Sequence, residues 1–236
     1  MRINKYLSEA GVCSRREADR LIVEGKVMIE DRTADLGDNV NEGERVYVNG
    51  KEVPRENAPV LLLYNKPKGI VCTAEKRERN NIVDAVGYKT RVYPVGRLDK
   101  DSTGLILLTN QGELSNRILK ARYHHEKEYI VTVNRPVDDR FLRAMASGVY
   151  LTELDKKTRP CFVEGIPGEK NMFRIILTQG LNRQIRRMCE ELSYKVRELK
   201  RIRIMNLTLD GIEEGKYREI TEAEMNELSK LLELKE

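Results

Sequence analysis

The sequence predicts an α+β protein: a mixed, mainly antiparallel sheet surrounded by helices, preceded by a small module of two helices and short strands. Three observations predict it. Strand-length apolar runs and helical stripes follow one another irregularly, without the regular βαβ alternation of a doubly wound fold. The first fifty residues read as helix, turn, helix, then strands. Between the two regions, "PRENAP" from Pro54 to Pro59 holds two prolines and no periodic pattern. We place a domain boundary there, with domains over 1–59 and 60–236. A chain of 236 residues is long enough for one such small domain and one large one.

The elements follow in order. In "RINKYLSEAG", Ile3, Tyr6, Leu7 and Ala10 have helical spacing, and Gly11 stops the helix. Ser14 and Glu17 make an S-x-x-E capping box, so a second helix starts at Arg15, buries Ala18, Leu21 and Ile22, and ends at Gly25. "KVMIE" and "RVYVNGKEV" alternate as strands, with Asn49-Gly50 as the turn. Beyond the boundary, strands are expected at 60–65, 69–73, 105–110, 128–134, 172–179 and 197–207. Helices are expected at 82–86, 112–120, 138–147, 183–192 and 222–232.

Composition removes several function classes. There is no apolar run of membrane-spanning length, and "MRINKYLSEAG" is too polar for a signal peptide, so a cytoplasmic protein without membrane contact is expected. Cys13, Cys72, Cys161 and Cys189 are far apart and read as four reduced, structural thiols rather than a zinc site. The histidines, His124 and His125, have nothing nearby that suggests a serine triad. Neither phosphate-cradling glycine motif is present, so no cofactor and no metal is expected.

The net charge of +5 favours an anionic partner only weakly, but the charge is uneven. Residues 1–59 carry 10 Lys/Arg against 12 Asp/Glu, although Lys5, Arg15 and Arg16 belong to a locally basic helical half. From Arg174 to Arg203 there are nine basic and three acidic residues, the footprint of either a phosphate backbone or a solvated charged face. Within it, "GLNRQIRRMCEEL" sets Ile185, Met188, Cys189 and Leu192 on one buried stripe and Arg183, Arg186 and Arg187 on another side. Asn182 is placed to cap this helix. The arginines and the helix N-terminus suit an anion, whether phosphate or protein carboxylate.

"VGRLDKDSTGLILLTNQGEL", Val95 to Leu114, sets Asp99 and Asp101 directly before an apolar strand. From the residues alone it reads as an Asx-type turn, a divalent-metal loop lacking its closing Glu, or a carboxylate pair for glycosidic chemistry.

The same stretch closely resembles the active-site motif of the RNA pseudouridine synthases, in the RsuA branch and nearest its RluF group. "NKPKGIVCT" (65–73) is similar to the entry strand of that branch, "HEKEYIVTV" (125–133) to its K-x-Y strand, and "GLNRQIRRMCE" with "RIRIMN" to its later blocks. Residues 1–59 resemble the alpha-L RNA-binding module also found in a small-subunit ribosomal protein. A small departure is Ser102, where Thr is common. The resemblance implies an isomerase that cleaves the uridine C1′–N1 bond, turns the uracil and rejoins it through C5, without a cofactor. It implies Asp99 as the catalytic carboxylate, Arg186 as its bidentate partner in a largely closed site, and Tyr129 stacked on the base with Ile185 as apolar wall. Arg97 enters the RNA stem to hold the flipped state. Gly180, Leu181, Asn182, Arg183, Arg187 and Lys100 contact RNA, as do Lys5, Arg15 and Arg16 of the small domain. Asp101 shapes the loop, and Thr103 and Gly104 the turn into the strand. The implied substrate is a ribosomal RNA stem-loop, most readily from the large subunit, with transfer RNA as a secondary substrate and a monomeric enzyme. The competing readings are an RNA-binding assembly factor without activity, which would be favoured by loss of Asp99 or Arg186, and a small-substrate glycosidase, which would gain nothing from the basic helix.

Overall fold

The computed structural model describes residues 1–54, 58–75, 77–120 and 124–233. Residues 55–57 of the expected linker lie outside the described residues. The chain forms two compact units. One is Met1–Val60 with Tyr88–Val92 and Thr109–Gly112; the other is Leu61–Gly87, Tyr93–Leu108 and Glu113–Glu236.

The first unit holds α1 (Ile3–Glu9), α2 (Arg15–Val23), β1 (Val27–Ile29), β2 (Arg32–Thr33), β3 (Val46–Val48) and β4 (Lys51–Val53). The Ser14 hydroxyl accepts the Glu17 N–H at 3.2 Å and so starts α2 where expected. Asn49 and Gly50, both at positive φ, turn β3 back onto β4. The four strands run antiparallel in the order β2-β1-β3-β4, and Ile3, Leu7, Ala18 and Ile22 share a core with Val27, Ile29 and Val46. At its far end the Thr109 hydroxyl donates to the Val60 carbonyl at 2.6 Å, and the Asn110 amide donates to Ala58 O at 2.9 Å.

The second unit contains β5 (Leu61–Lys66), α3 (Ile82–Val86), β6 (Tyr93–Val95), β7 (Thr103–Thr109), α4 (Gly112–Leu119), β8 (Lys127–Val133), α5 (Asp139–Ala146), β9 (Tyr150–Leu151), β10 (Lys156–Lys157), β11 (Phe162–Gly165), β12 (Met172–Leu177), α6 (Gln184–Glu191), β13 (Val196–Ile204), β14 (Leu207–Thr208), β15 (Tyr217–Glu219) and α7 (Glu222–Glu233). Its large sheet follows the path β11-β12-β8-β13-β7-β5-β15, with β14 on β13 and β6 on β7. The pairs β11–β12, β12–β8, β8–β13 and β15–β5 are antiparallel, whereas β13 and β7 run parallel. This is the expected α+β architecture with a mixed, mainly antiparallel sheet. One cluster packs α5 and α6 on β8, β12 and β13 through Phe141, Met145, Ile185, Met188 and Phe173. Another packs α4 and α7 on β5 and β7 through Ile118, Leu228, Leu63, Leu105 and Leu107. Among the described residues no helix is long and apolar enough to cross a membrane.

Several expected boundaries move for local reasons. No strand covers 69–73. The Lys66 ammonium donates to Pro67 O at 2.9 Å and Ile70 O at 2.8 Å, folding the chain into a turn, and only Val71 bridges to Asn81. The expected strand 197–207 is broken by Met205, at φ 53°, into a β13–β14 hairpin. The edge strands β11 and β15 escaped the pattern reading because "FVEG" and "YRE" have no apolar run.

The parallel β13–β7 pair has one demanding point. Gly104 lies opposite Arg201 with φ +97°, and a Cβ there would stand 2.2 Å from the Arg201 carbonyl oxygen. Gly104 is thus the second residue of β7 rather than part of the turn before it. Gly104→Ala is expected to cost about 3 kcal/mol or more, from backbone strain and the displaced strand. Urea unfolding checks this, and a variant of wild-type stability would refute the close approach.

Candidate active site

The Asp99 loop is short and tightly held. Ser102 N–H donates to Asp99 O at 3.0 Å, closing a turn directly before β7. Lys100 O accepts from Gly69 N–H at 2.8 Å and from the Lys66 ammonium at 3.4 Å. Behind the loop stand Leu105, Ile106, Leu107 and Leu108, each at 0% exposure. Asp101 is exposed and makes no side-chain hydrogen bond among the described residues, so backbone rather than its carboxylate closes the loop.

Two guanidinium groups approach Asp99 from α6. Arg183 Nη1 lies 3.6 Å and Arg186 Nε 3.8 Å from the same carboxylate oxygen, Oδ2. Both distances are ion pairs without hydrogen bonds. The bidentate Arg186–Asp99 fork that was expected is absent, because Arg186 Nη2 instead donates to the buried Ser102 hydroxyl at 3.3 Å. The carboxylate is 34% exposed and the Arg186 side chain 9%. The site is therefore more open at Asp99 than a closed pocket, while its cationic partner is the buried member of the pair.

The start of α6 also differs from expectation. Asn182 does not cap the helix; Arg183 occupies the N-cap in a left-handed conformation, φ 50°. The Leu181 N–H donates to the Gln184 side chain at 3.0 Å, and Asn182 O accepts from Arg187 Nε at 3.0 Å. A non-glycine residue held at positive φ carries strain, here next to the Asp99 carboxylate. Arg187 leaves the side expected to hold all three arginines and pairs with Glu153. It does not line the Asp99 cavity.

That cavity has a volume of about 430 Å³. Asp99 and Arg97 line one side, and the segment Gly180 to Ile185 another. Tyr129 and Ile185 both line it and belong to one apolar cluster, so the structure brings these two expected site residues together. Arg97 is exposed at the lining, and Lys100 is exposed outside it. Lys5, Arg15 and Arg16 lie in the first unit, where Lys5 pairs with Glu9 at 3.8 Å and the two arginines are exposed.

Three lining cations were missed from sequence: the exposed Lys120, and the more buried Arg201 and Lys127. Arg201, 3% exposed, donates through Nε to Leu105 O at 2.7 Å and sits with its guanidinium carbon 6.0 Å from the Tyr129 ring centre. Lys127 lies two residues before Tyr129 on β8, and burial followed by the Arg201 charge pushes its ammonium down to about 8. A signal for Lys127 was present: period-two alternation puts it on the face of Tyr129. Arg201 could only be found from the β8–β13 register, which sets it opposite Tyr129.

The thiols offer no competing nucleophile. Burial pushes Cys161 up to about 11 and Cys189 up to about 12. Among the described residues no cluster of His, Cys, Asp or Glu could hold a metal ion.

The family model for RNA pseudouridylate synthase matches residues 60–191, and that for the S4 domain matches residues 1–46. A dual-specificity RNA pseudouridine synthase RluF from Shigella flexneri is 52% identical over 99% of this chain and 80% of that protein. The ribosomal large subunit pseudouridine synthase B of Bacillus subtilis is 35% identical over 98% of this chain and 96% of its own length. A crystal structure of a pseudouridylate synthase superposes with a TM-score of 0.70 at 29% identity, covering 98% of this chain and 99% of that one.

Ser102→Ala leaves the buried Arg186 Nη2 without its acceptor. A loss of about 1–3 kcal/mol in urea unfolding is expected, the usual cost of an unsatisfied buried donor. Wild-type stability in that variant would show the Ser102–Arg186 bond to be energetically idle.

Proposed function

The chain belongs to the RNA pseudouridine synthase family, in its RsuA branch, and on that premise we propose that it isomerises a uridine of ribosomal RNA to pseudouridine with Asp99 as the reacting carboxylate. The observation that carries the assignment is Asp99 itself: one carboxylate, partly exposed in a ring-sized cavity, held by a rigid turn and flanked by two guanidinium groups.

The chemistry asks little else of the protein. The C1′–N1 bond breaks, the base turns, and C5 bonds to C1′, so the net change is one proton moved from C5 to N1. Asp99 either attacks C1′ or removes the C2′ proton, relieving the cation-like sugar. Arg183 and Arg186 bring two positive charges to 3.6 and 3.8 Å from its Oδ2. Tyr129 and Ile185, which line the cavity, give the uracil a flat wall, and Tyr129 takes part in proton transfer from C5. Flipping a stacked uridine costs a few kcal/mol, and the exposed Arg97 at the cavity edge is positioned to hold the vacated place in the stem. Lys100, Gly180, Leu181, Asn182, Arg183 and Arg187 complete the RNA contacts of this unit.

We assign large-subunit ribosomal RNA as the main substrate because a relative at 35% identity is named as a ribosomal large subunit enzyme. The relative at 52% identity is named a dual-specificity RNA enzyme, and for this chain we propose transfer RNA as the second substrate. Residues 1–59, matched over 1–46 by the S4 domain, form the RNA-docking module, acting through Lys5, Arg15 and Arg16, and residues 60–236 form the catalytic domain of a cytoplasmic monomer.

Wild-type protein incubated with ribosomal RNA fragments is expected to produce pseudouridine, whereas Asp99→Asn and Asp99→Ala produce none above background. Full activity in either variant would dismiss Asp99 as the reacting group. Charge reversal at both Arg15 and Arg16 is expected to weaken RNA binding and to flatten its dependence on salt, each lost phosphate contact lowering the slope by about one. Unchanged affinity across a salt titration would remove that helix from the RNA interface.

A further inference from the structure

The Asp99 cavity contains more positive charge than its carboxylate needs. Among the described lining residues Asp99 is the one carboxylate, and Arg183 already approaches it from the lining while Arg186 does so from behind. Arg201 and Lys127 are a second pair of cations, and among the described residues no carboxylate pairs with either. Arg201 is almost wholly buried, its Nε is fixed to Leu105 O, and its buried Nη2 has no hydrogen-bond partner. Lys127 makes one long bond, 3.4 Å to His125 O, so two of its three N–H donors remain uncommitted. Two like charges in a desolvated wall are costly unless an anion arrives there.

Building on the function proposed above, we infer that Lys127 and Arg201 hold the negative charge that the uracil ring carries while it is detached from the ribose. When the C1′–N1 bond breaks, its electron pair leaves with N1 and spreads onto O2 and O4 of the ring. Asp99 meanwhile either carries the sugar as an ester at C1′, a bond that breaks back to the carboxylate when C5 attacks, or carries the C2′ proton, which returns to C2′ at that step. The pair returns when C5 bonds to C1′, C5 gives up its proton and N1 takes one, so atoms and charge balance without any further reagent. Lys127 supplies hydrogen bonds to the ring oxygens, and Arg201 supplies a fixed field from beneath Tyr129. A backbone phosphate is the other anion on hand, but the apolar wall of Tyr129 and Ile185 faces the same cavity, and Arg97 and Arg183 at its exposed parts are better placed for phosphates.

The role requires the ammonium form of Lys127. The charged and titratable groups that line the cavity with it are Tyr129 from β8, Arg201 from β13, His125 just before β8, Lys120 after α4, Arg97 and Asp99 from the loop, and Arg183 from the α6 start. Its ammonium is held down to about 8 by burial and then by Arg201, so the charged fraction, and turnover with it, falls as pH rises through that value.

The test is single-turnover loss of uridine in a ribosomal RNA fragment, run alongside the same fragment carrying 5-fluorouridine. Fluorine makes the detached base a more stable anion and therefore less dependent on the cations. Lys127→Met is expected to slow uridine cleavage about 100-fold with RNA affinity nearly unchanged, the size seen when one preorganised donor to an oxyanion is removed. Its loss on the 5-fluorouridine fragment is expected to be about tenfold smaller, as a leaving group of lower basicity needs less assistance. Lys127→Arg should recover most of the rate and carry the alkaline limb to higher pH. Arg201→Lys, a variant that keeps the buried charge, should show a milder form of the same substrate dependence. Equal losses on both fragments overturn the inference, as does a loss confined to RNA affinity, which would mark a phosphate seat. A wild-type protein that makes no pseudouridine overturns the activity itself, a result distinct from normal turnover in the Lys127 variants.

Discussion

Most of the site's geometry depends on the close approach of β7 and β13 at Gly104 and Arg201. Without a Cβ, Gly104 lets the Arg201 backbone come to where a side chain would otherwise stand. That contact allows a parallel pair within a sheet otherwise made largely of antiparallel neighbours. Three placements follow. The Asp99 turn, ending at Ser102, opens directly onto the contact. The Arg201 side chain reaches the next carbonyl of β7, at Leu105. Tyr129, opposite Arg201 on the other side of β13, is brought to the same cavity as Asp99. Carboxylate, aromatic wall and buried cation come from three separate strands or strand ends, and one glycine sets their separation.

The cations divide by how they are tied. Arg186 is anchored by Ser102 and stands behind Asp99 rather than in the lining, so it acts on the carboxylate without occupying the space a substrate would fill. Arg183 is held by backbone strain at the start of α6 and reaches Asp99 from the exposed side. The longer-than-hydrogen-bond separation of both leaves the Asp99 oxygens free of strong donors. A carboxylate sequestered in a bidentate fork would be a poorer nucleophile or base, because its lone pairs would be committed. The neighbours set two positive charges beside the carboxylate, while the loose geometry leaves its lone pairs uncommitted.

Much of this was legible in the sequence where local chemistry decides the outcome. Ser14 and Glu17 announced α2, Asn49-Gly50 announced the β3–β4 hairpin, and Ile185, Met188 and Cys189 announced the buried face of α6. Asp99, Arg97 and Tyr129 were legible only because the motif "GRLDKDSTG" and its companions resemble a known family; from the residues alone the pair of aspartates read equally well as a turn. What stayed hidden depends on contacts remote in the chain. Lys66 folds 67–70 into a turn through carbonyls that a strand would have used, and no pattern in "NKPKGIVCT" shows it. The bidentate fork expected for Arg186 failed because a buried serine, 84 residues away, competes for the same guanidinium. Arg201 looked like one more charge in a basic run until strand register set it against Tyr129 and Gly104.

The apolar run after the charged loop has a mechanical role as well as a packing one. A carboxylate that must meet a flipped nucleotide has to be held to within a fraction of an ångström. A turn exposed on one side cannot do this by itself, since its own hydrogen bonds compete with water. Here it is fixed from both ends: the carbonyl of Lys100 is gripped by Gly69 and Lys66, and its exit is rooted in Leu105–Leu108, a strand with no exposed surface. Both faces of that strand are buried, one of them under α4 and α7, so moving it would disturb the core as a whole. The rigidity of the core is thereby passed to Asp99 over a few residues of chain, and the charged loop stands immediately before the most buried segment because any longer connection would lose that rigidity.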